Sequence, residues 1–81
     1  MSDAFRRDMI ENNFTYHAPT KDQIPKYEAI RELGKQFAIT IDNLCPMCRE
    51  ASIALTELES CVMWANAAIA RHPKGENEFV S

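Results

Sequence analysis

Glycine and proline are scarce in this chain, with two and four copies in 81 residues, and no tract is of low complexity or repeated. Those absences argue against a fibrous, collagen-like or disordered chain and leave one small folded domain. No apolar run is long enough to span a bilayer, so a membrane protein is not expected. Charges at Asp3, Arg6, Arg7, Asp8 and Glu11 interrupt any signal-peptide core near the N-terminus, which makes the cytosol the expected compartment. Basic excess is missing as well. A net charge of -3 disfavours a broad surface for DNA or RNA polymers, while leaving room for a small anion held by a few local cations. Three cysteines, an odd number in a chain without an export signal, argue for reduced thiols over a disulfide framework.

What is present is helix-forming sequence. The tract Cys61 to Arg71, CVMWANAAIAR, leaves almost no polar face on the helix it forms. A chain this short has little else to cover such a surface, so the tract points to self-association. The spacing predicts an all-α domain over residues 1–81. It comprises a short N-terminal helix (1–13), an extended connector (14–25), an antiparallel helical hairpin (26–44 and 46–72) and a polar tail (73–81). Ser2 or Asp3 can cap the first helix, and Asn12 and Asn13 can end it. The connector FTYHAPTKDQIP carries Pro19, Pro25 and the β-preferring Phe14, Thr15 and Tyr16, and its aromatics are expected to bind it to a helix surface. Pro25 suits the first turn of the second helix, and Pro46 can open the third.

In the second helix Tyr27, Ile30, Leu33, Phe37, Ile41 and Leu44 recur at steps of three and four, a stripe that must face a partner. In the third, Ala51, Leu55, Leu58, Val62, Ala65 and Ile69 form an inner stripe, with Ile53, Met63, Trp64, Ala67 and Ala70 on other faces. A third helix of about 25 residues is roughly 37 Å long at 1.5 Å rise, more than one hairpin partner can cover. Below about 80 residues a single core rarely suffices, so assembly of several copies is expected.

Three groups of residues could carry chemistry. The first is FTYHAP with the cations after it: Tyr16 offers a flat ring for a nucleobase, while His17, Lys26, Arg31 and Lys35 can meet phosphate oxygens. The plainer reading has Phe14 and Tyr16 fastening the connector and His17 hydrogen-bonded at the surface. The second is Cys45-Pro-Met-Cys48, half of a zinc site or a redox pair at a helix start. Cys61 and His72 lie too far along the helix to complete a metal site within one chain, so no metal or other cofactor is expected and incidental thiols are the simpler account. The third is Asn66 with Arg71, and Arg49 at the opposite end of that helix. Asn66 can fix the register of subunit packing, and Arg71 can complement the helix dipole or converge with its copies into an anion site.

Four stretches taken together resemble the phage anti-CBASS sponge family, small helical proteins that sequester the cyclic oligonucleotide signals of bacterial antiphage immunity. They are Phe14-Thr15-Tyr16-His17-Ala18-Pro19, Tyr27-Glu28-Ala29-Ile30-Arg31, Ser52-Ile53-Ala54-Leu55-Thr56 with Leu58-Glu59, and Val62 through Arg71. The resemblance covers most of residues 14–71. It leaves out the first dozen residues, the Cys-Pro-Met-Cys turn and the tail after His72.

That resemblance implies a helical hairpin protomer assembled into a compact homo-hexamer in the cytoplasm of an infected bacterium. Such an assembly binds cyclic dinucleotides such as cyclic GMP-AMP between protomers without cleaving them, and in some members cyclic trinucleotides at separate pockets. It further implies that Tyr16 stacks on a purine and that a cation holds phosphate, with Arg31 first and Lys26 or Lys35 behind it. Asn66 and Arg71 would serve the trinucleotide. Thr20, Asp22, Glu28 or Glu32 could read base edges. Two other classes stand beside it. One is an interaction module whose third helix docks a host protein. The other is an enzyme, for which His17 with Glu28 is the one local acid–base pair worth naming.

Overall fold

The computed structural model describes residues 3–72, which form three helices and, among the described residues, no strand. Helix α1 runs Asp3–Asn13, α2 Ile24–Leu44 and α3 Arg49–Arg71. Ser2 and the tail 73–81, for which a cap and a polar extension are expected, lie outside the described residues. Helices α2 and α3 pack along their length. They run antiparallel, since Gln23 meets Ile69 at one end and Gly34 faces Val62 further along.

Both hairpin helices begin where backbone chemistry allows. Pro25 occupies the first turn of α2, where a missing N–H leaves no bond unmade. Helix α3 starts at Arg49, three residues beyond Pro46, because Cys48 holds an extended backbone (φ -158, ψ 174) and Cys48 O takes the first helical bond from Ser52 N–H at 3.1 Å. Glu50 then lies in the first turn and Arg71 in the last, each on the side the helix dipole favours. Pro46 therefore belongs to the turn, which α2 enters with Cys45 N–H donating to Ile41 O at 2.9 Å.

The packing is asymmetric between the two helices. On α3, Ala51, Leu55, Leu58, Val62, Ala65 and Ile69 are all half-buried, the inner stripe that the spacing predicts. On α2 the predicted stripe splits. Tyr27, Ile30 and Ile41 are half-buried with Gly34 and Ala38 between them, while Leu33, Phe37 and Leu44 remain exposed. The reason is Gly34. A Cβ there would stand 2.7 Å from Val62 Cγ2, so the helices close on the glycine and its small neighbour, and the bulkier residues are turned to the flank.

No apolar side chain among the described residues is buried. A hydrophobic stripe stabilises a fold only by leaving water, at about 25 cal/mol per Å² removed. One hairpin leaves Leu33, Phe37, Leu44, Ile53, Met63 and Trp64 largely in solvent, with no second layer over them.

Candidate functional site

Helix α3 ends on carbonyls that have no intrahelical donor, as every helix does. Ala68 O is satisfied by His72 N–H at 3.1 Å, but the position that would serve Ile69 O is Pro73, which has no N–H. Its donor comes instead from another element: Gln23 Nε2 reaches Ile69 O at 3.0 Å, and Asn12 Nδ2 reaches Arg71 O at 3.3 Å. Gln23 is 3% exposed, the one buried residue among those described.

The same Gln23 closes on its own chain. Its Oε1 accepts from Thr20 N–H at 3.0 Å, while Thr20 O accepts from the amides of Gln23 (3.0 Å) and Ile24 (3.2 Å). This is the back-reaching half of a capping box, and Thr20-Lys21-Asp22-Gln23 is the Thr-x-x-Gln pattern that marks one in sequence. On the other side of the connector His17 Nε2 donates to Asn12 O at 2.9 Å. Thr15 Oγ1 bonds back to Glu11 O, and Phe14 N–H to Ile10 O at 3.0 Å, which carries the end of α1 into the turn.

The connector is thus pinned by polar groups at both ends, and its aromatics fasten nothing. Phe14 is 86% exposed and Tyr16 84%, so the expectation that these rings staple the connector to the helices is corrected. Polar bonds do that work because the carbonyls at the end of α3 need donors, and Asn12, His17 and Gln23 supply them or link to them. Tyr16 stands one residue from a pinned histidine with nearly its whole ring in solvent.

The three candidate cations, all exposed on α2, do not share a face. Arg31 and Lys35 are one turn apart, whereas Lys26 lies roughly 140–180° round the helix from them. Lys26 is in line with Leu33, Phe37 and Leu44 at steps of seven, four and seven, on the apolar flank that α3 leaves open. It is also within one turn of Gln23, where the connector joins α2. Exposed Thr20, Asp22 and Glu28 flank the same end, while Glu32 is occupied by Gln36, whose Nε2 donates to its Oε2 at 2.9 Å.

At the other edge of this region Arg71 lies over the Trp64 ring, 6.0 Å from its centroid, on the side of α3 away from α2. A guanidinium at that distance is at the outer limit of a cation–π contact. Asn66 is roughly 140° round the helix from Arg71, so one protomer does not bring the two onto one face. Its Oδ1 is buried and has no donor. Arg49 begins α3 at the far end of the hairpin.

That far end is built differently. Cys45 is exposed and Cys48 half-buried, both free thiols, and they border a shallow hollow with Ile41, Asp42, Met47, Ala51 and Leu55. Cys61 is also free and exposed. Among the described residues no three of His, Cys, Asp and Glu gather as metal ligands. The hydrogen bond of His17 goes to the Asn12 carbonyl and not to Glu28.

An all-helical hairpin with uncovered apolar flanks and an exposed aromatic on a pinned connector defines a small binding domain. The comparison with known families gives it a place: over residues 8–70 the chain matches the family described as Acb2/Tad1, hairpin domain. The chain belongs to that family, the anti-CBASS sponges. The hairpin domain of the family is a binding module. No curated protein and no solved structure matches the chain. Within the described residues no helix is long and apolar enough to cross a membrane.

Proposed function

We propose that the protein binds and sequesters cyclic oligonucleotide second messengers, cyclic dinucleotides such as cyclic GMP-AMP foremost, without cleaving them, and so blocks CBASS antiphage immunity. The observation that carries the reading is Tyr16, a ring 84% exposed on a connector held on both sides by hydrogen bonds. An aromatic that packs on nothing gains little from the fold, and a stacked base contributes about 1–3 kcal/mol to binding. Phosphate falls to Lys26 in this reading. It lies closest to the connector along α2 and at the end of the open apolar stripe, while His17 beside Tyr16 is bonded to the Asn12 carbonyl and holds the connector. Arg31 and Lys35 face elsewhere on α2 and would reach a nucleotide held mainly by another copy.

Several copies, six in the form the family resemblance implies, cover Leu33, Phe37 and Leu44 in the assembled protein. The absence of any buried apolar side chain among the described residues of the single protomer supports this, since the hairpin alone lacks a core. In that assembly Arg71 and its copies contribute to a second pocket for a cyclic trinucleotide. His17 is bonded to the Asn12 carbonyl and not to Glu28, so the one acid–base pair considered for cleavage is not formed, which favours storage over hydrolysis.

Calorimetric titration with cyclic GMP-AMP, followed by heat release of the ligand and chromatography, tests the proposal. Tight binding with intact recovery is the expected result. A linear product would make the protein an enzyme, and no heat at all would leave the α3 face with Met63 and Trp64 as a surface for a host protein.

A further inference from the structure

We infer that Gln23 is the positioning residue of the nucleotide site: it holds the connector that presents Tyr16 against the end of α3 that carries Arg71. The inference rests on the sponge reading and goes beyond it, because Gln23 itself touches no ligand there. A glutamine is an unexpected residue to find as the one buried side chain of a protomer whose described apolar residues all retain solvent contact. Both ends of its amide are used. Oε1 takes the Thr20 amide at the end of the connector, and Nε2 satisfies the Ile69 carbonyl left open by Pro73. A single side chain thereby ties three things together: the last residues of the connector, the first turn of α2 and the last turn of α3. Asn12, bonded to Arg71 O through its side chain and to His17 through its carbonyl, makes a parallel tie on the other side of Tyr16.

Tyr16 lies between these two ties. Without them the four residues from Tyr16 to Pro19 would have to be ordered by the ligand itself, and that conformational cost would appear as lost affinity. The Gln23→Met protein keeps the side-chain volume and removes both bonds. The Gln23→Glu protein keeps the acceptor for Thr20 and sets an oxygen against Ile69 O. The Gln23→Glu protein is expected to bind cyclic GMP-AMP about tenfold more weakly than the unaltered protein, the effect of roughly one hydrogen bond, and the Gln23→Met protein, which loses both, at least as weakly. Faster hydrogen exchange at the Thr20 amide should accompany the Met variant alone, with the assembly mass unchanged in both.

The signature of positioning is non-additivity. Adding Gln23→Met to Tyr16→Ala should cost no further affinity, because the ring being positioned is already gone. Wild-type affinity in either assembled variant overturns the inference, as does a double variant whose losses simply add. Failure of both variants to assemble also overturns it, by making Gln23 a residue of the fold alone. The sponge reading fails differently, through an unaltered protein that binds no cyclic GMP-AMP.

Discussion

The two ends of the hairpin solve the same problem in opposite ways. At both, a helix terminus leaves backbone groups without partners. Where the connector, α2 and α3 meet, side chains from other elements supply the donors, and Gln23 and Asn12 bind α3 to residues far away in sequence. At the Cys45–Cys48 turn the backbone serves itself, through Cys45 N–H to Ile41 O and Ser52 N–H to Cys48 O. The first end is therefore fixed by long-range polar bonds, while the second is a local reversal whose Leu44 and Met47 remain in solvent. A site that must hold a rigid anion needs its parts prearranged. The proposed site lies at the connector end, where long-range bonds hold its parts, and the turn has no such bond.

The largest expected effect breaks the assembly beneath both ends. Phe37→Glu puts a charge in the open stripe of α2, where it would be desolvated by a neighbouring copy at a cost of several kcal/mol. With no buried apolar core among the described residues to fall back on, loss of assembly and unfolding should coincide. Sedimentation and far-ultraviolet circular dichroism together read this. An unaltered mass and melting temperature would show the stripe is not an interface. Next in size is Tyr16→Ala, which removes the exposed ring and no packing, and should weaken cyclic GMP-AMP by about 10- to 100-fold with the assembly intact. A change in mass or melting temperature would show instead that Tyr16 is structural and that the two ends do not differ in this way.

Much of the architecture is legible in the sequence because periodicity reports burial. Ala51 through Ile69 on α3 recur at helical spacing, and all six are half-buried. The α2 stripe is harder, since spacing shows which residues share a flank but not how close a partner comes. Gly34 decides that, and a lone glycine in a helix gives no sign of what it faces. For the site, Tyr16 is conspicuous in sequence while its exposure is not, because an aromatic beside proline suits packing as well as stacking. Gln23 carries two local signals: Thr20-Lys21-Asp22-Gln23 fits a capping box, and Pro73 announces an unpaired carbonyl on Ile69. The pairing across 46 residues between them is a fact of topology, and no local pattern carries it.

A third test sharpens the comparison from the middle of the hairpin. Gly34→Ala would place its methyl 2.7 Å from Val62 Cγ2, and a β-branched residue in a helix has almost no other rotamer to take. Overpacking of this kind costs about 1–3 kcal/mol, while alanine returns up to about 1 kcal/mol of helix propensity, so a net loss of about 1 kcal/mol is expected. If the close approach is the cause, Gly34→Ala with Val62→Ala should recover that part of the loss, and a thermal melt of both proteins would show it. A double variant no better than the single would put the cost elsewhere in the hairpin.

The smallest effect is expected at the turn. Cys45→Ser with Cys48→Ser removes two thiols that border a shallow hollow, form no disulfide and hold no long-range bond. Serine at position 48 can also accept from the first amides of α3, where Cys48 makes no side-chain cap, so helix stability should hold or rise by a few tenths of a kcal/mol. Melting temperature, mass and affinity for cyclic GMP-AMP should all stay at the unaltered values. A tenfold loss of affinity would carry the site, or its support, to the end of the molecule that the hydrogen bonds leave free. The contrast between a fixed end and a free one would then have to be drawn in the assembled protein, with the turn of one copy lying against the connector of another.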